Sequence, residues 1–178
     1  MRMMKKHAIL TAFLLTTLAL LSVPAFALDK GSSAIGAGLR MHSENSEFTE
    51  LPYGDDDLSY LLAWEGHEDD GYWQIAVDYA PDVSGNKTTD YILTPQMNLI
   101  WKDRMFIGGI GGLQSYVHDS DAGSDWTDFY WQLTLGLRLP VGAFDLAVQT
   151  YYDFDQCSNL DKFEGDDLEY GAWRCYKF

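Results

Sequence analysis

The segment "DFYWQLTLGLRLPVGAFDLAVQTYYDF", residues 128–154, decides the fold class because its side chains alternate in character. Apolar residues occupy every second position from 129 to 139, and most residues between them are polar or small. After a Pro/Gly link at 140–143, the alternation resumes from 144 to 152. A period of two over this length predicts β-strands, and the short link predicts a hairpin. The alternation alone leaves open whether the apolar face meets a protein core or lipid.

The first 27 residues predict an export signal. They contain the basic residues Arg2, Lys5 and Lys6, then an apolar run at 8–23, and they end in a small-x-small sequence at 25–27. This order is that of a cleaved signal peptide. The alternative is an N-terminal membrane anchor, but the run is short for a spanning helix. The remaining residues, 28–178, are predicted to form one domain.

The charge of the chain excludes one class of partner. The chain has 12 basic and 27 acidic residues, a formal net charge of −15. Without the three basic residues of the signal peptide, 9 basic residues face 27 acidic ones, which gives −18. Phosphate backbones require the opposite sign, so the composition argues against nucleic-acid binding. No second apolar run approaches the roughly 20 residues of a membrane helix, so the sequence predicts no helical membrane protein.

Alternation along residues 28–178 predicts an all-β, antiparallel, up-and-down barrel of eight strands. The predicted strands are 33–43, 58–67, 72–80, 91–101, 105–117, 128–139, 143–153 and 168–178. Their connections alternate between long and short, which is typical of membrane-spanning barrels. An even number of strands of about ten residues matches the smallest such barrel.

The aromatic residues of these strands are predicted to form two belts. One belt lies near the short turns: Trp64, Trp73, Trp101, Phe106, Phe144, Tyr176 and Phe178. The other lies near the long loops: Tyr60, Tyr79, Tyr91, Tyr116, Phe129, Trp131, Tyr152 and Tyr170. Trp and Tyr settle at the headgroup level of a bilayer, so the belts favour an apolar face that points outward into lipid.

The polar faces of the strands then predict a filled lumen. Arg40 and Arg138 would point inward, and buried charges must be paired. Their predicted partners come from a set of inward carboxylates: Glu65, Asp78, Asp145 and Glu169. The sequence therefore predicts a lumen closed by ion pairs.

Gln114 of strand five is placed in the inward polar set. Three other positions fit the alternation poorly: Leu61 and Ile92 are apolar but would point inward, and the third is a proline. Pro95 lies inside strand four, where it removes a ladder donor, so a bulge or break is expected there.

The last ten residues, "EYGAWRCYKF", carry a resemblance to a known class. The chain resembles the small bacterial outer-membrane β-barrels, the class of the OmpA transmembrane domain, OmpX and OmpW, whose last strand ends in an aromatic residue. Tyr176 and Phe178 match that ending as a barrel-assembly signal, whereas Arg174 departs from it.

This resemblance implies a monomer in the outer membrane of a Gram-negative bacterium, with a structural or surface-interaction role. It also implies at most a narrow pore for small solutes. The implied partners are outer-membrane lipid, lipopolysaccharide and the barrel-assembly machinery. No periplasmic domain is expected after the last strand.

The long loops are acidic, and a cofactor is not expected in them apart from Ca²⁺ or Mg²⁺. Loops 44–57, 81–90, 118–128 and 154–167 hold 17 of the 27 acidic residues. One loop contains four aspartates, Asp119, Asp121, Asp125 and Asp128, which are weak candidates for a metal site because the loop lacks the EF-hand glycine and glutamate. Most simply, these loops form a solvated rim.

The two cysteines, Cys157 and Cys175, are predicted to remain unpaired. Export favours disulfides, but the predicted topology puts Cys157 in a loop and Cys175 near the other end of the last strand. That separation exceeds the roughly 7 Å limit between Cα atoms.

The sequence favours a protein that is not an enzyme, with two alternatives. One is a lipid A-modifying acyl hydrolase or acyltransferase at the outer rim, with His42, Ser43 and His118 as candidate groups, although nothing in their spacing shows that they converge. The other is a secreted soluble barrel that binds a ligand inside, in which the apolar residues of strands six and seven would point inward.

Overall fold

The computed structural model describes residues 31–43, 51–81, 83–121, 123–156 and 165–178. The predicted signal peptide, residues 1–27, and Cys157 lie outside these ranges. No helix within them is long and apolar enough to cross a membrane.

Ten β-strands build the described part of the chain, and most follow the predicted spans within two residues. They are β1 Ser33–Met41, β2 Leu58–Glu68, β3 Gly71–Ala80, β4 Thr89–Asp103, β5 Phe106–Leu113, β6 Tyr116–Asp119, β7 Gly123–Trp126, β8 Tyr130–Val141, β9 Phe144–Phe154 and β10 Glu169–Lys177. A short 3-10 turn, Gly165–Asp167, precedes β10.

The strands form one closed antiparallel barrel. The first part of β4 pairs with β6 and the rest pairs with β5. On their other sides, β6 pairs with β7 and β5 pairs with β8. The ten strands therefore occupy eight positions around the barrel. β1 pairs with both β2 and β10, and this pairing closes the ring. The predicted eight-stranded up-and-down barrel is confirmed.

Two-residue turns define one end of the barrel, called here the turn end. They join β2 to β3, β4 to β5 and β8 to β9. Arg104 and Gly142 in these turns have φ values of 54° and 64°, as tight hairpins that follow the strand twist require. The opposite end, where the long connections lie, is called the loop end.

Pro95 lies at a break in the hydrogen-bond ladder, as predicted, and the strand register does not shift there. Leu93 pairs with Tyr116 and Gln96 with Leu113, so the register is the same on both sides of the proline. Because proline has no N–H to donate, the strand opposite is interrupted at residues 114–115. The prediction for Gln114 is wrong: its side chain is exposed, and the inward position belongs to the buried Ser115.

The outward face of the barrel is apolar and exposed. Leu62, Met97 and Leu135, in the middle of three different strands, are 61, 58 and 68% exposed. Their neighbours along each strand face inward and are buried, apart from the half-buried Gly136. The soluble-barrel alternative required Leu135 to point inward, so it is wrong.

Exposed and half-buried aromatic residues lie at both ends of the outward face. At the loop end, successive rings of Tyr79, Tyr91, Tyr116 and Trp126 are 5.9, 6.4 and 5.3 Å apart. At the turn end, Trp64 meets Trp73 edge to face at 4.8 Å, and Phe144 lies 5.3 Å from Tyr176.

Tyr152 departs from its predicted place in the loop-end belt. It is buried, and its ring lies 6.2 Å from that of Phe154 on the same strand. Tyr152 is therefore not part of the exposed loop-end belt.

Candidate functional site

The lumen contains two clusters of charged side chains, which include all six residues predicted from the sequence. The turn-end cluster contains Glu65, His67, Arg138, Asp145 and Lys177. The loop-end cluster contains Arg40, His42, Asp78, Asp153 and Glu169.

Arg138 organises the turn-end cluster. Its two terminal nitrogens donate to both oxygens of Glu65 at 3.1 and 2.8 Å, and its Nε donates to Asp145 at 2.8 Å. Lys177 Nζ donates to the other oxygen of Asp145 at 3.0 Å. The guanidinium also lies 4.6 Å from the ring centre of Tyr72. Two cations thus face two carboxylates, and the forked geometry is the strongest that an Arg–carboxylate pair adopts.

Arg40 organises the loop-end cluster. Its Nε donates to Glu169, its Nη2 donates to Asp153 at 2.9 Å, and its Nη1 lies 3.9 Å from Asp78. His42 Nδ1 lies 3.0 Å from the Glu169 oxygen that accepts the hydrogen bond of Arg40. Three carboxylates therefore share one guanidinium and one imidazole. This cluster has more carboxylates and fewer cations than the turn-end cluster.

Aromatic and aliphatic side chains fill the lumen between the clusters. Trp173 Nε1 donates to the Tyr151 hydroxyl at 2.6 Å, and that hydroxyl donates to Gln149 at 2.9 Å. A Cβ at Gly38 would lie 3.1 Å from the indole ring of Trp173, so the glycine leaves room for it. Leu61 does point inward, as its position demands, and it is buried in an apolar cluster with Trp173.

The first long loop sends a side chain back into the mouth of the barrel. The ring of Tyr53 stacks on His42, with centroids 3.7 Å apart and planes within 8°. Tyr53 packs with Val83 of the next loop and with the inward Ile92, which explains the apolar residue at position 92. Burial raises the pKa of the Tyr53 phenol well above its usual range.

The Asp57 carboxylate joins the two loops by hydrogen bonds over the mouth of the barrel. Asp57 Oδ2 accepts hydrogen bonds from the backbone N–H groups of Gly54 and Ser84, each at 2.7 Å. The two loops are in close contact at Gly54. A Cβ added there would overlap the Ser84 hydroxyl. Residues 53–57 and 83–85 are called the cap. The sequence analysis missed this cap, since nothing in an acidic loop signals that one tyrosine will turn inward.

The predicted enzyme groups lie in three different surroundings. His42 is buried in the lumen and hydrogen-bonds Ser59 at 2.9 Å. Ser43 Oγ donates to the backbone carbonyl of Asp166 at 2.6 Å. His118 lies on β6, where its Nδ1 is 2.5 Å from Ser124 Oγ. These three candidates do not converge on one site.

The four candidate metal ligands are spread along the β6–β7 hairpin and its continuation. Asp119 accepts hydrogen bonds from Thr88 at 2.5 Å and from Asn86 at 3.4 Å. Asp121, Asp125 and Asp128 are exposed. Within the described ranges, no group of three or more His, Cys, Asp or Glu side chains could hold a metal ion.

Cys175 carries a free thiol, in agreement with the prediction for this residue. It is buried in the lumen, and its Sγ lies 3.6 Å from Glu65 Oε1. At the turn end, the predicted assembly residues Tyr176 and Phe178 point outward and are 49 and 63% exposed. The backbone of Phe178 exchanges hydrogen bonds with Ser33 and thereby extends the closing seam.

No protein-family model matches the chain, and no curated protein matches its sequence. Solved structures do. The N-terminal β-barrel domain of OprF from Pseudomonas aeruginosa superposes with a TM-score of 0.56 at 9% identity, over 84% of this chain and 98% of that one. The fold is that of the small eight-stranded outer-membrane β-barrels.

Two further structures of this class superpose less closely. Neisserial surface protein A (NspA) gives a TM-score of 0.49 at 11% identity, over 84% of this chain and 98% of that one. Ail, the attachment invasion locus protein of Yersinia pestis, gives 0.38 at 14%, over 84% and 100%.

Proposed function

We propose that this chain is an outer-membrane protein of a Gram-negative bacterium whose filled, capped barrel holds its long loops at the cell surface. Its role is structural or surface-interacting. One observation carries the proposal: the barrel is apolar outside and filled with paired charges inside, which is the reverse of a soluble domain. Exposed Leu62, Met97 and Leu135 need a lipid environment.

The same surface supports the proposed partners. Outer-membrane lipid, including lipopolysaccharide, surrounds the apolar face, and the barrel-assembly machinery receives the exposed Tyr176 and Phe178. A closed barrel leaves no pairing edge, so the proposed state is a monomer. Binding of Ca²⁺ or Mg²⁺ by the acidic loops stays a prediction.

Conductance in planar lipid bilayers tests the filled lumen. We expect the purified protein to give no stable large channel, because both charge clusters cross the lumen and Tyr53 covers its mouth. Tyr53→Ala should remain without a large channel, since the clusters below the cap persist, and Tyr60→Ala is the matched control at an outward tyrosine. A stable, wide, water-filled channel in the unaltered protein would contradict a filled lumen and favour a porin role.

A further inference from the structure

His118 lies between two groups that the sequence analysis did not single out. One ring nitrogen, Nδ1, is 2.5 Å from Ser124 Oγ, and the other, Nε2, is 3.6 Å from Asp90 Oδ2. A hydroxyl at one imidazole nitrogen and a carboxylate near the other are the three groups of a serine-hydrolase triad. Here the hydroxyl is at Nδ1 and the carboxylate is near Nε2, the reverse of the usual order, and the carboxylate lies at ion-pair distance, beyond a direct hydrogen bond.

A β-bulge brings the carboxylate to this place. Thr89 pairs with Asp119 and Tyr91 pairs with His118, so Asp90 is one extra residue on β4 with no partner on β6. Bulges of this kind redirect a side chain, and they are over-represented at the rims of barrels and next to active sites. Without the bulge, regular alternation would send residues 90 and 91 to opposite faces.

The neighbouring strand fixes the hydroxyl and the imidazole. Ser124 on β7 is the direct cross-strand partner of His118 on β6. The imidazole also stacks on the ring of Tyr91, with centroids 4.8 Å apart, so its plane is held. A lone exposed Ser–His pair is an ordinary surface contact. The third group, placed by a bulge, is what distinguishes this one.

The surroundings indicate the class of substrate. The rings of Tyr91, Tyr116 and Trp126 lie next to the triad and belong to the loop-end aromatic row. Tyr and Trp mark the headgroup level of a bilayer, and the His118 and Asp90 side chains are 38 and 53% exposed. A lipid at the rim can therefore reach Ser124.

We propose that Ser124, His118 and Asp90 form a hydrolytic triad that cleaves acyl esters of membrane lipids at the loop-end rim. The inference rests on the proposed membrane location, and it assigns an activity to the hairpin β6–β7 together with Asp90 of the barrel strand β4.

The reaction consumes one water and releases an alcohol and a carboxylic acid. Ser124 Oγ attacks the ester carbonyl carbon while His118 accepts the hydroxyl proton. The ester C–O bond then breaks, and His118 gives the proton to the departing alkoxide. In the second half, His118 takes a proton from water, the hydroxide attacks the acyl carbon, and Ser124 leaves with that proton. The Asp90 carboxylate stabilises the imidazolium in both halves.

Covalent labelling tests the nucleophile directly. We expect a fluorophosphonate probe to label the folded protein in detergent micelles at Ser124, as located by peptide mass spectrometry. Ser124→Ala should abolish labelling, and His118→Ala should slow it about 100-fold, the contribution of a general base. Asp90→Asn should slow it less, since that group is half-exposed. Ser120→Ala is the matched control, because Ser120 lies at the tip of the same hairpin and its hydroxyl donates to the backbone carbonyl of Thr88, away from His118 and Asp90.

Two substrate arms identify the lipid. Vesicles of phosphatidylethanolamine and, separately, purified lipopolysaccharide are incubated with the protein, and released fatty acids are measured by mass spectrometry. Release from either arm that is lost in Ser124→Ala supports the triad and names the lipid. Every variant is first checked for a heat-dependent shift in gel mobility, the sign of a folded barrel. A folded protein that neither takes the probe nor releases acid overturns the triad, whereas a protein with no mobility shift contradicts the membrane barrel instead.

Discussion

At the scale of single residues, paired charges hold the lumen together. Arg138 and Arg40 are only 1 and 2% exposed, and each meets at least two carboxylates. When one partner of a buried ion pair is removed, the other charge remains unpaired in a poorly hydrated space. The resulting loss of stability exceeds what the pair itself contributes. Alternation fixes which side chains point inward, so Glu65, Asp78, Asp145 and Glu169 could be predicted as inward carboxylates, whereas Asp153 was missed as a partner of Arg40. Which carboxylate pairs with which arginine could not be predicted, since it depends on strand register across the barrel.

Replacement of Arg138 by glutamine tests this residue. We expect Arg138→Gln to destabilise the barrel by about 3–5 kcal/mol, because Glu65 and Asp145 lose their shared partner. Urea unfolding in detergent micelles, followed by the heat-dependent gel shift, measures the change.

Arg174 is the matched control for that replacement. It also lies on a barrel strand but is exposed, and its guanidinium is 4.0 Å from the centre of the Phe144 ring. Arg174→Gln should cost less than about 1 kcal/mol, the range for an exposed cation–π contact. Equal losses in both variants would contradict the distinction between lumen and surface.

At the scale of elements, alternation predicted the barrel strands but not the short ladder between β6 and β7. The segment at 119–125, "DSDAGSD", has no alternating apolar residues, so its pairing is invisible in the sequence. The same holds for the bulge at Asp90, which depends on a one-residue register shift against β6. His118 could therefore be singled out as a histidine at the rim, whereas its two partners could not.

The cap gives a test at this scale. Asp57→Ala removes the acceptor of the Gly54 and Ser84 N–H groups. Hydrogen bonds to a charged group contribute about 1.5–3 kcal/mol, so hydrogen exchange at these two amides should speed up by roughly 10- to 100-fold. Mass-spectrometric hydrogen exchange of residues 53–57 and 83–85 measures it.

Asp55→Ala is the control for the charge change. It removes one carboxylate from the same loop but leaves Asp57 in place. If both variants exchange at the unaltered rate, Asp57 does not hold the cap. If Asp55→Ala speeds exchange as much as Asp57→Ala, the two hydrogen bonds of Asp57 are not what distinguishes the cap.

At the scale of the whole molecule, three features act together. An exposed aliphatic band lies between two aromatic rows, the lumen is filled, and the long connections lie at one end. The first and third features could be predicted, because they follow from residue alternation and loop length. The closure of the mouth could not, since Tyr53 reaches the lumen from a loop that looks like a solvated rim in sequence.

The most direct test of the central claim is chemical labelling of two lysines in intact cells. Lys87 lies in a loop-end connection and Lys102 at the turn end of β4. Cells that express the protein are treated with an amine reagent that cannot cross the outer membrane, and labelled peptides are identified by mass spectrometry. A barrel that spans the outer membrane with its long loops outside predicts a label on Lys87 in intact cells and on Lys102 only after permeabilisation. Equal labelling of both lysines in intact cells, or of neither until the membrane is opened, would contradict it.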